Sequence, residues 1–263
     1  MSSLITKVRQ KQIAQTIDAG KRLDGRTLTD MREFKIEQGF IEKAEGSARV
    51  HLGETEILVG VKVETGEPFP DTPNDGVMTV NAELVPLASP NFEPGPPDES
   101  SIELARIVDR GIRESHAIDT EKLCIQPGKK VFVVFVDVYV LNHAGNLIDA
   151  SALAAMSALM NTKMPNFEIK DGEVKTKAGY TSLPMKSHPV TITIGKINDK
   201  LIIDPDMEEE NVMDARITMA VNDEGNICAI QKGLSGYFTP QQIIEASKLA
   251  REKAAELRKK LKW

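Results

Sequence analysis

The segment Asp204–Asp214 holds a dense group of carboxylates, because six of its eleven side chains are acidic. Carboxylate oxygens are the ligands that Mg²⁺ prefers, so this cluster could hold a hard cation. Glu208 and Asp214, six positions apart, could also serve as a general acid or a metal-binding pair. The alternative is a solvated acidic loop, which is the commoner occurrence for a run of like charges. Both interpretations stay open on sequence alone.

A second candidate site consists of Arg106, Arg110 and Arg113, which fall on one face of a predicted helix. Neighbouring like charges on a helix cost about 0.2–0.5 kcal/mol per pair, and Glu103 and Asp109 could offset part of that cost. Guanidinium groups bind phosphate through a planar fork, so this face is suited to a nucleic-acid backbone. The alternative is a face that meets solvent or pairs with another protein.

Other kinds of site lack support in the sequence. The four histidines have no spacing that would bring them to one metal, and Cys124 and Cys228 are the only cysteines. No phosphate-binding P-loop, dinucleotide glycine fingerprint or nucleophile elbow occurs. We therefore predict no zinc site, no disulfide and no cofactor, and we assign no residue as a metal ligand, although cation binding by Glu208 and Asp214 stays open.

The elements that position these residues begin with a predicted helix at Leu4–Ile17, which Gly20 ends. A turn follows at Asp24–Arg26. Alternating apolar residues between Phe34 and Val63 then predict strands joined by glycine-containing loops. A longer strand is predicted at Val131–Leu141, where apolar residues on both sides favour burial of both faces.

Two helices are predicted next to the candidate residues. Ser101–Ser115 is the clearest, with Ser100 and Glu103 at the spacing of a capping box. A helix of small residues is predicted at Ala150–Met160, with Asp149 as its cap. The first helix would carry the arginines, and the second would begin directly after a turn.

The segment Pro68–Pro97 contains eight of the fourteen prolines, which excludes regular structure over most of its length. Met78–Val85 is the exception, because it is long enough for one strand between two loops. A long proline-rich loop is often functional or an interface arm. A plain surface excursion is the equal alternative.

The second part of the chain partly repeats the first. Val190–Ile194 and Leu201–Ile203 are predicted strands, and Ile217–Val221 is predicted to pair with Ile227–Ile230 across a short turn. Thr239-Pro240 opens the last helix with a cap and a first-turn proline. Strands that lead to a helix, twice over, predict an α/β layered arrangement of two similar halves.

Composition limits the class of protein. The 263 residues are 41% hydrophobic and 27% charged, which is enough for a packed core. The longest apolar run, Val131–Val136, is too short to span a membrane, and no signal peptide is apparent. The net charge of −6 excludes bulk attraction to nucleic acid, although a local basic stripe stays possible. We expect a reduced, soluble, cytoplasmic protein.

Four motifs in order carry a resemblance that covers almost the whole chain: Asp24–Arg26, Glu103–Arg113, Val136–Ala150 and Asp204–Asp214. Together they resemble the ribonuclease PH family, and within it most closely the non-catalytic ring subunit of the archaeal exosome. The resemblance implies an α+β fold with two βαβα-type halves of the ribosomal protein S5 domain 2-like kind. We expect an N-terminal helix over residues 1–20, a first half over 21–185, and a second half with the C-terminal helix over 186–263.

The resemblance also implies partners and a reaction. The expected assembly is a hexameric ring of three heterodimers with a catalytic sister subunit, joined by RNA-binding cap subunits. In the reaction that the resemblance implies, inorganic phosphate attacks the last phosphodiester bond of single-stranded RNA and releases nucleoside diphosphates. Arg106, Arg110 and Arg113 are then expected to bind RNA.

Catalytic members of the family have a glycine-rich turn with a hydroxyl and an arginine that hold phosphate at a helix start. The aligned segment here is Gly145–Ala150, which puts Leu147 and Ile148 at those two positions. Asp149 would place a carboxylate where an incoming anion needs free N–H donors. We therefore expect no catalytic residue at this site.

Two further motifs support or qualify that expectation. Catalytic members carry two adjacent arginines where this chain has Glu99 and Ser100. Their two aspartates six positions apart correspond to Glu208 and Asp214, which retain acidic groups. The favoured hypothesis is a catalytically silent ring subunit. The alternatives are an active phosphorolytic exoribonuclease that uses this acidic pair, and an unrelated α/β protein that binds other proteins through its proline-rich segment.

Overall fold

The computed structural model describes residues 4–170 and 173–261, which form a mixed helix and strand fold. The elements before the central helix are α1 (Leu4–Asp18), β1 (Phe34–Gln38), β2 (Gly46–Leu52), β3 (Thr55–Gly66), β4 (Val77–Leu84), α2 (Glu99–Glu114), a 3₁₀ turn (Thr120–Leu123), β5 (Cys124–Gln126) and β6 (Lys130–Asn142). The others are α3 (Leu147–Met160), β7 (Lys163–Lys170), β8 (Glu173–Ser182), β9 (Val190–Ile197), β10 (Lys200–Ile203), α4 (Met207–Glu210), β11 (Ala215–Val221), β12 (Ile227–Gly233) and α5 (Pro240–Lys260).

Two sheets organise the fold. The first has the order β1-β2-β3-β6-β4, with β5 paired to β6, and the second has the order β10-β9-β11-β12. All neighbouring strands are antiparallel except β4 and β6, which run parallel. β7 and β8 form a separate hairpin. This arrangement confirms the predicted α+β class.

The helix α3 lies between the two sheets, in contact with β2 and β3 on one side and with β9 on the other. Its side chains are mostly alanine, serine and methionine, and nearly all of them from Ile148 to Leu159 are buried. A helix that is apolar on all sides must be enclosed, and small residues allow a close approach. The turn before α3 is therefore held between two layers.

Several local predictions are confirmed. α1 ends near Gly20, which has a φ of +76°, and β4 is the strand expected within the proline-rich segment. β11 pairs with β12 across the predicted turn. Thr239 caps α5, with Pro240 in its first turn and Gln242 completing a capping box. These features depend on short-range interactions, which the sequence encodes directly.

The predicted cap of α2 is wrong. The helix begins at Glu99, and Asp98 is its N-cap: the Asp98 carboxylate accepts a hydrogen bond from the Ser101 amide at 2.8 Å. The Ser101 hydroxyl donates to the Asp98 carbonyl at 2.9 Å. The Asp98 carboxylate, two positions before Ser100, therefore accepts the hydrogen bond at the start of the helix that the Ser100 hydroxyl was expected to accept.

The predicted burial of both faces of β6 is also wrong. Val133, Phe135 and Asp137 are half-buried and Tyr139 is exposed, whereas the alternate residues are fully buried. The described helices α2 and α3 pack on the buried face. The hairpin β7–β8 was not predicted at all; Pro165 lies in β7 at a bulge, where a missing N–H is tolerated.

None of the described helices is both long and apolar enough to cross a membrane.

The close approach of β2 to α3 leads to a stability prediction. A Cβ atom added to Gly46 would lie 2.1 Å from the Thr162 Oγ1 and 2.5 Å from the Ala158 carbonyl oxygen. Gly46→Ala should therefore force the layers apart and lower the free energy of unfolding by about 1–3 kcal/mol. Gly95→Ala is the control, because nothing lies within 4 Å of its Cβ position. Equal stability of the two variants in urea unfolding would contradict the packing described.

Candidate functional site

The candidate phosphate turn precedes α3, which begins at Leu147 and not at Ala150 as predicted. Asn146 is the N-cap residue: its backbone is left-handed, with φ and ψ both 50°, and its side-chain oxygen faces the amide of Asp149 at 3.4 Å. Asparagine is one of the few residues that adopt this conformation readily. Asp149 therefore lies in the first turn of the helix and is not its cap.

The side chain of Asp149 points toward the second sheet. Its two carboxylate oxygens accept hydrogen bonds from the Thr193 hydroxyl at 2.7 Å and the Thr193 amide at 2.9 Å. The Asn146 side-chain amide donates a third at 2.8 Å. Burial outweighs these bonds and raises the pKa of Asp149 to about 7. The residue thus joins α3 to β9, and it is not a fully charged group at neutral pH.

A different carboxylate closes the helix start. Glu210, at the end of α4, accepts a hydrogen bond from the Asn146 backbone amide at 2.8 Å. Burial raises the pKa of Glu210 to about 6. The preceding residue, Gly145, is pressed against α4, since an added Cβ atom would lie 2.4 Å from the Asp206 carbonyl carbon. The protein's own acidic segment therefore fills the space in front of the turn.

Glu210 was not singled out from the sequence. It is 64 positions from Asn146, and it stands in a run of three glutamates that differ little in local context. Only its membership of the acidic cluster pointed to it. Which of the three glutamates reaches the turn depends on how α4 is held.

A buried pair holds α4. The Arg22 Nε donates to the Glu209 Oε1 at 2.8 Å, its Nη2 pairs with the other carboxylate oxygen, and the two side chains are 0% and 4% exposed. Arg22 also donates to the carbonyl oxygens of Ile203 and Asp204, both at 2.8 Å. At the exposed side of α4, Glu208 pairs with Arg9 of α1 at 2.8 Å.

Asp204 forms a second buried charge cluster directly behind the turn. Its carboxylate accepts hydrogen bonds from Arg32 at 2.7 Å, from Arg26 at 2.9 Å and from the Asn146 side chain at 2.8 Å. Burial alone would raise the pKa of Asp204, but the hydrogen bonds and charge of Arg32 outweigh it and leave the pKa below its ordinary value. Arg32 also donates to the carbonyl oxygens of Ala144 and Gly145, which orients the turn itself.

These contacts correct the solvated-loop interpretation of the acidic segment. Asp204 and Glu209 are buried and serve internal contacts, and Glu210 is half-buried. Glu208 and Asp214 are exposed, but they have different partners: Arg9 for the first, and the Asn198 amide, at 2.7 Å, for the second. Among the described residues, no three His, Cys, Asp or Glu side chains are arranged to hold a metal ion.

The arginines of α2 are divided by the structure. Arg106 and Arg110 are exposed and line a groove of about 340 Å³ between α2 and β12. Arg113 lies apart from that groove: it pairs with Asp109 at 2.6 Å, as predicted, and donates to the Met78 carbonyl at 3.0 Å. The other predicted offset is wrong, because Glu103 does not pair with Arg106.

Glu103 instead accepts a hydrogen bond from Arg216 of β11 at 2.8 Å. Glu99, at a position where the resemblance expects an arginine, lines the same groove near the start of α2. Ser100, the other such position, is exposed. The start of α2 therefore carries negative charge, and positive charge appears two turns later.

Part of the proline-rich segment packs against the candidate turn. The His143 amide donates to the Ala88 carbonyl at 3.2 Å, and the Phe92 ring stacks on the His143 ring with centroids 5.5 Å apart. Burial lowers the pKa of His143. The part of the segment around Ala88 and Phe92 therefore packs against the turn and is not only a surface excursion.

Comparison with known proteins gives two family matches. Residues 30–165 match the 3′ exoribonuclease family, domain 1, and residues 187–253 match domain 2 of the same family. A protein of Thermococcus gammatolerans named exosome complex component Rrp42 is 53% identical over 258 residues, which cover 97% of this chain and 94% of the relative. A protein of the same name from Methanopyrus kandleri is 48% identical and covers 98% of this chain and 97% of the relative.

Two solved structures are similar over nearly the whole chain. One is described as the Archaeoglobus fulgidus exosome with RNA bound to the active site; it matches with a TM-score of 0.91 and 46% identity, covering 98% of this chain and 99% of the other. The second, an archaeal exosome core, has a TM-score of 0.86 and 41% identity, covering 98% and 97%.

The buried Asp149 leads to a pH prediction. Because the pKa of Asp149 is raised from 3.8 to about 7, its contribution to stability is present at low pH and is lost as the pH rises through about 7. Asp149→Asn keeps the shape and removes the charge, and its amide can donate to the Thr193 hydroxyl. At about pH 8.5 this variant should be more stable than the natural chain by about 1–3 kcal/mol.

The gain should be smaller at about pH 5, where the carboxyl is protonated in the folded chain, because the loss of stability builds up as the pH rises from 3.8 to about 7. Urea unfolding at both pH values measures the difference. Asp214→Asn, an exposed carboxylate, is the control and should show no comparable dependence on pH. A stability difference for Asp149→Asn that does not change between the two pH values would contradict a raised pKa.

Proposed function

The chain belongs to the 3′ exoribonuclease, or ribonuclease PH, family, and on that premise we propose that it is a ring subunit of an exosome without a phosphorolytic site of its own. In this role it shapes the active site of a catalytic sister subunit and helps to bind single-stranded RNA for degradation from the 3′ end. The observation that carries the proposal is the helix start at Asn146, which is closed by Glu210.

A phosphorolytic site needs free amide donors and positive charge for the attacking phosphate. Here the Asn146 amide already donates to a carboxylate, and the Asn146 side chain is divided between Asp149 and Asp204. Leu147 and Ile148 offer neither the hydroxyl nor the arginine of the family's phosphate turn. An inorganic phosphate at this position would have to displace Glu210 from a partly buried hydrogen bond.

The alternative, an active exoribonuclease that uses Glu208 and Asp214, has weaker support. The two carboxylates are bound by different elements, α1 for the first and the β9–β10 turn for the second. Even as a metal or acid pair they would lack a neighbouring phosphate nucleophile. The activity is therefore assigned to the partner and not to this chain.

The family and the exosome structures to which the chain is similar support assembly in an exosome, and the particular partners are part of our proposal. We assign it to a hexameric ring of three heterodimers with a catalytic sister subunit, and to contacts with RNA-binding cap subunits. A cytoplasmic location is part of the same proposal; Cys124 and Cys228 are both free thiols. The exposed Arg106 and Arg110 supply the RNA contact, because their guanidinium groups have no ion-pair partner among the described residues.

The first test of this proposal is an activity measurement. The isolated chain, given RNA, inorganic phosphate and Mg²⁺, should release no nucleoside diphosphate, because its helix start is closed. Mixing with the catalytic sister subunit should produce both activity and a defined mixed ring by light scattering. Asp214→Asn should leave most activity of the ring. If the isolated chain releases nucleoside diphosphate and Asp214→Asn abolishes that release, the alternative is established instead.

The second test concerns the arginines. Replacing Arg106, Arg110 and Arg113 together by alanine should weaken RNA binding by the assembled ring. Each lost phosphate contact should also make the dependence of log Kd on log salt concentration shallower by about 0.7. Among the single variants, Arg113→Ala should have the smallest effect, because that guanidinium is bound by Asp109. Unchanged binding by the triple variant would remove the RNA role from this helix.

A further inference from the structure

The groove beside Arg106 and Arg110 has a second wall that the sequence did not reveal. This wall is β12, the edge strand of the second sheet, which contributes Gln231 and Lys232. Lys232 lies 122 positions after Arg110, and its side chain is exposed. The groove therefore joins the two halves of the chain across one concave surface.

The charges of the groove favour an anion. Its lining has three cations against two carboxylates, and one of those carboxylates, Glu103, is paired with Arg216. Lys232 donates one hydrogen bond to the Leu234 carbonyl, which leaves two of its three ammonium donors for a ligand. A phosphate between the walls would meet guanidinium groups from α2 and an ammonium group from β12.

The spacing along α2 fits a strand of nucleic acid. Arg106 and Arg110 are four residues apart, a rise of about 6 Å along the helix, which is close to the separation of adjacent phosphates along one strand. Ile102, 47% exposed, continues the same wall with an apolar surface suited to a ribose or base. At the start of the helix, Glu99 opposes a further phosphate.

We propose that Lys232, with Gln231, completes a subsite in which Arg106 and Arg110 bind two successive phosphates of single-stranded RNA, and that Glu99 marks its end. The inference rests on the proposed RNA role and refines it. Lys232 replaces Arg113 as the third cation of the site, because it lines the groove and Arg113 does not. The backbone of RNA would thus cross from one half of the chain to the other.

The test uses the full chain assembled with its catalytic sister subunit, in buffer without phosphate so that the RNA is not degraded. The probe is a fluorescein-labelled oligoadenylate, titrated at several salt concentrations. Lys232→Ala should bind several-fold more weakly at low salt, with a slope of log Kd against log salt shallower by about 0.7. Lys232→Arg should restore binding, and Glu99→Gln should strengthen it.

Lys200→Ala is the matched control, because Lys200 is an exposed lysine on β10, the opposite edge strand of the same sheet. If Lys232→Ala binds RNA as Lys200→Ala does, while Arg106→Ala and Arg110→Ala bind more weakly, the inference is wrong and the proposed RNA role stands. If neither arginine variant is weakened, the RNA role of this surface itself fails. Thermal unfolding of each variant excludes a folding defect as the cause.

Discussion

The carboxylate of Asp204 is the charge on which the arrangement of the site depends. The residue is fully buried and has a left-handed backbone conformation, and its carboxylate lies between segments far apart in the chain. A buried charge without partners costs several kcal/mol, so the fold must bring cations and donors to it. Arg32 and Arg26 come from the segment before β1, and Asn146 comes from the turn before α3. The resulting cluster joins both halves of the molecule.

The neighbouring pair of Arg22 and Glu209 extends this constraint to α4. The guanidinium of Arg22 donates to Glu209 of α4 and to the carbonyl oxygens of Ile203 and Asp204. These hydrogen bonds hold the short helix α4 in place. That position directs Glu210 to the amide of Asn146. The acidic segment, which by composition suggested either a metal site or a solvated loop, therefore acts as an internal ligand for a helix start.

This use of carboxylates supports the proposed division of roles, in which this chain keeps the family fold and a partner carries out the chemistry. The resemblance implies that catalytic members present donors to phosphate at this turn. Here the Asn146 amide donates to Glu210 instead, and α3, which follows the turn, packs between the two sheets. The groove along α2 is a separate surface and does not depend on the turn being open. The proposed RNA-binding role is therefore compatible with the proposed lack of a phosphorolytic site.

The sequence by itself determined the local features: the cap and first-turn proline of α5, the turn between β11 and β12, the end of α1, and the α+β class with its family. The caps and turns depend on contacts within a few residues, which composition and spacing record directly, and the class and family follow from the order of four motifs along the chain. The tertiary structure alone decided that Asn146 caps α3, that Glu210 and not Asp149 closes the turn, and that Lys232 lines the same groove as Arg110. The contacts of Glu210 and Lys232 join residues 64 or more positions apart, and adjacent glutamates are equivalent until packing selects one. The cap of Asn146 is local, but the left-handed backbone that permits it is held by contacts with α4 and Asp204.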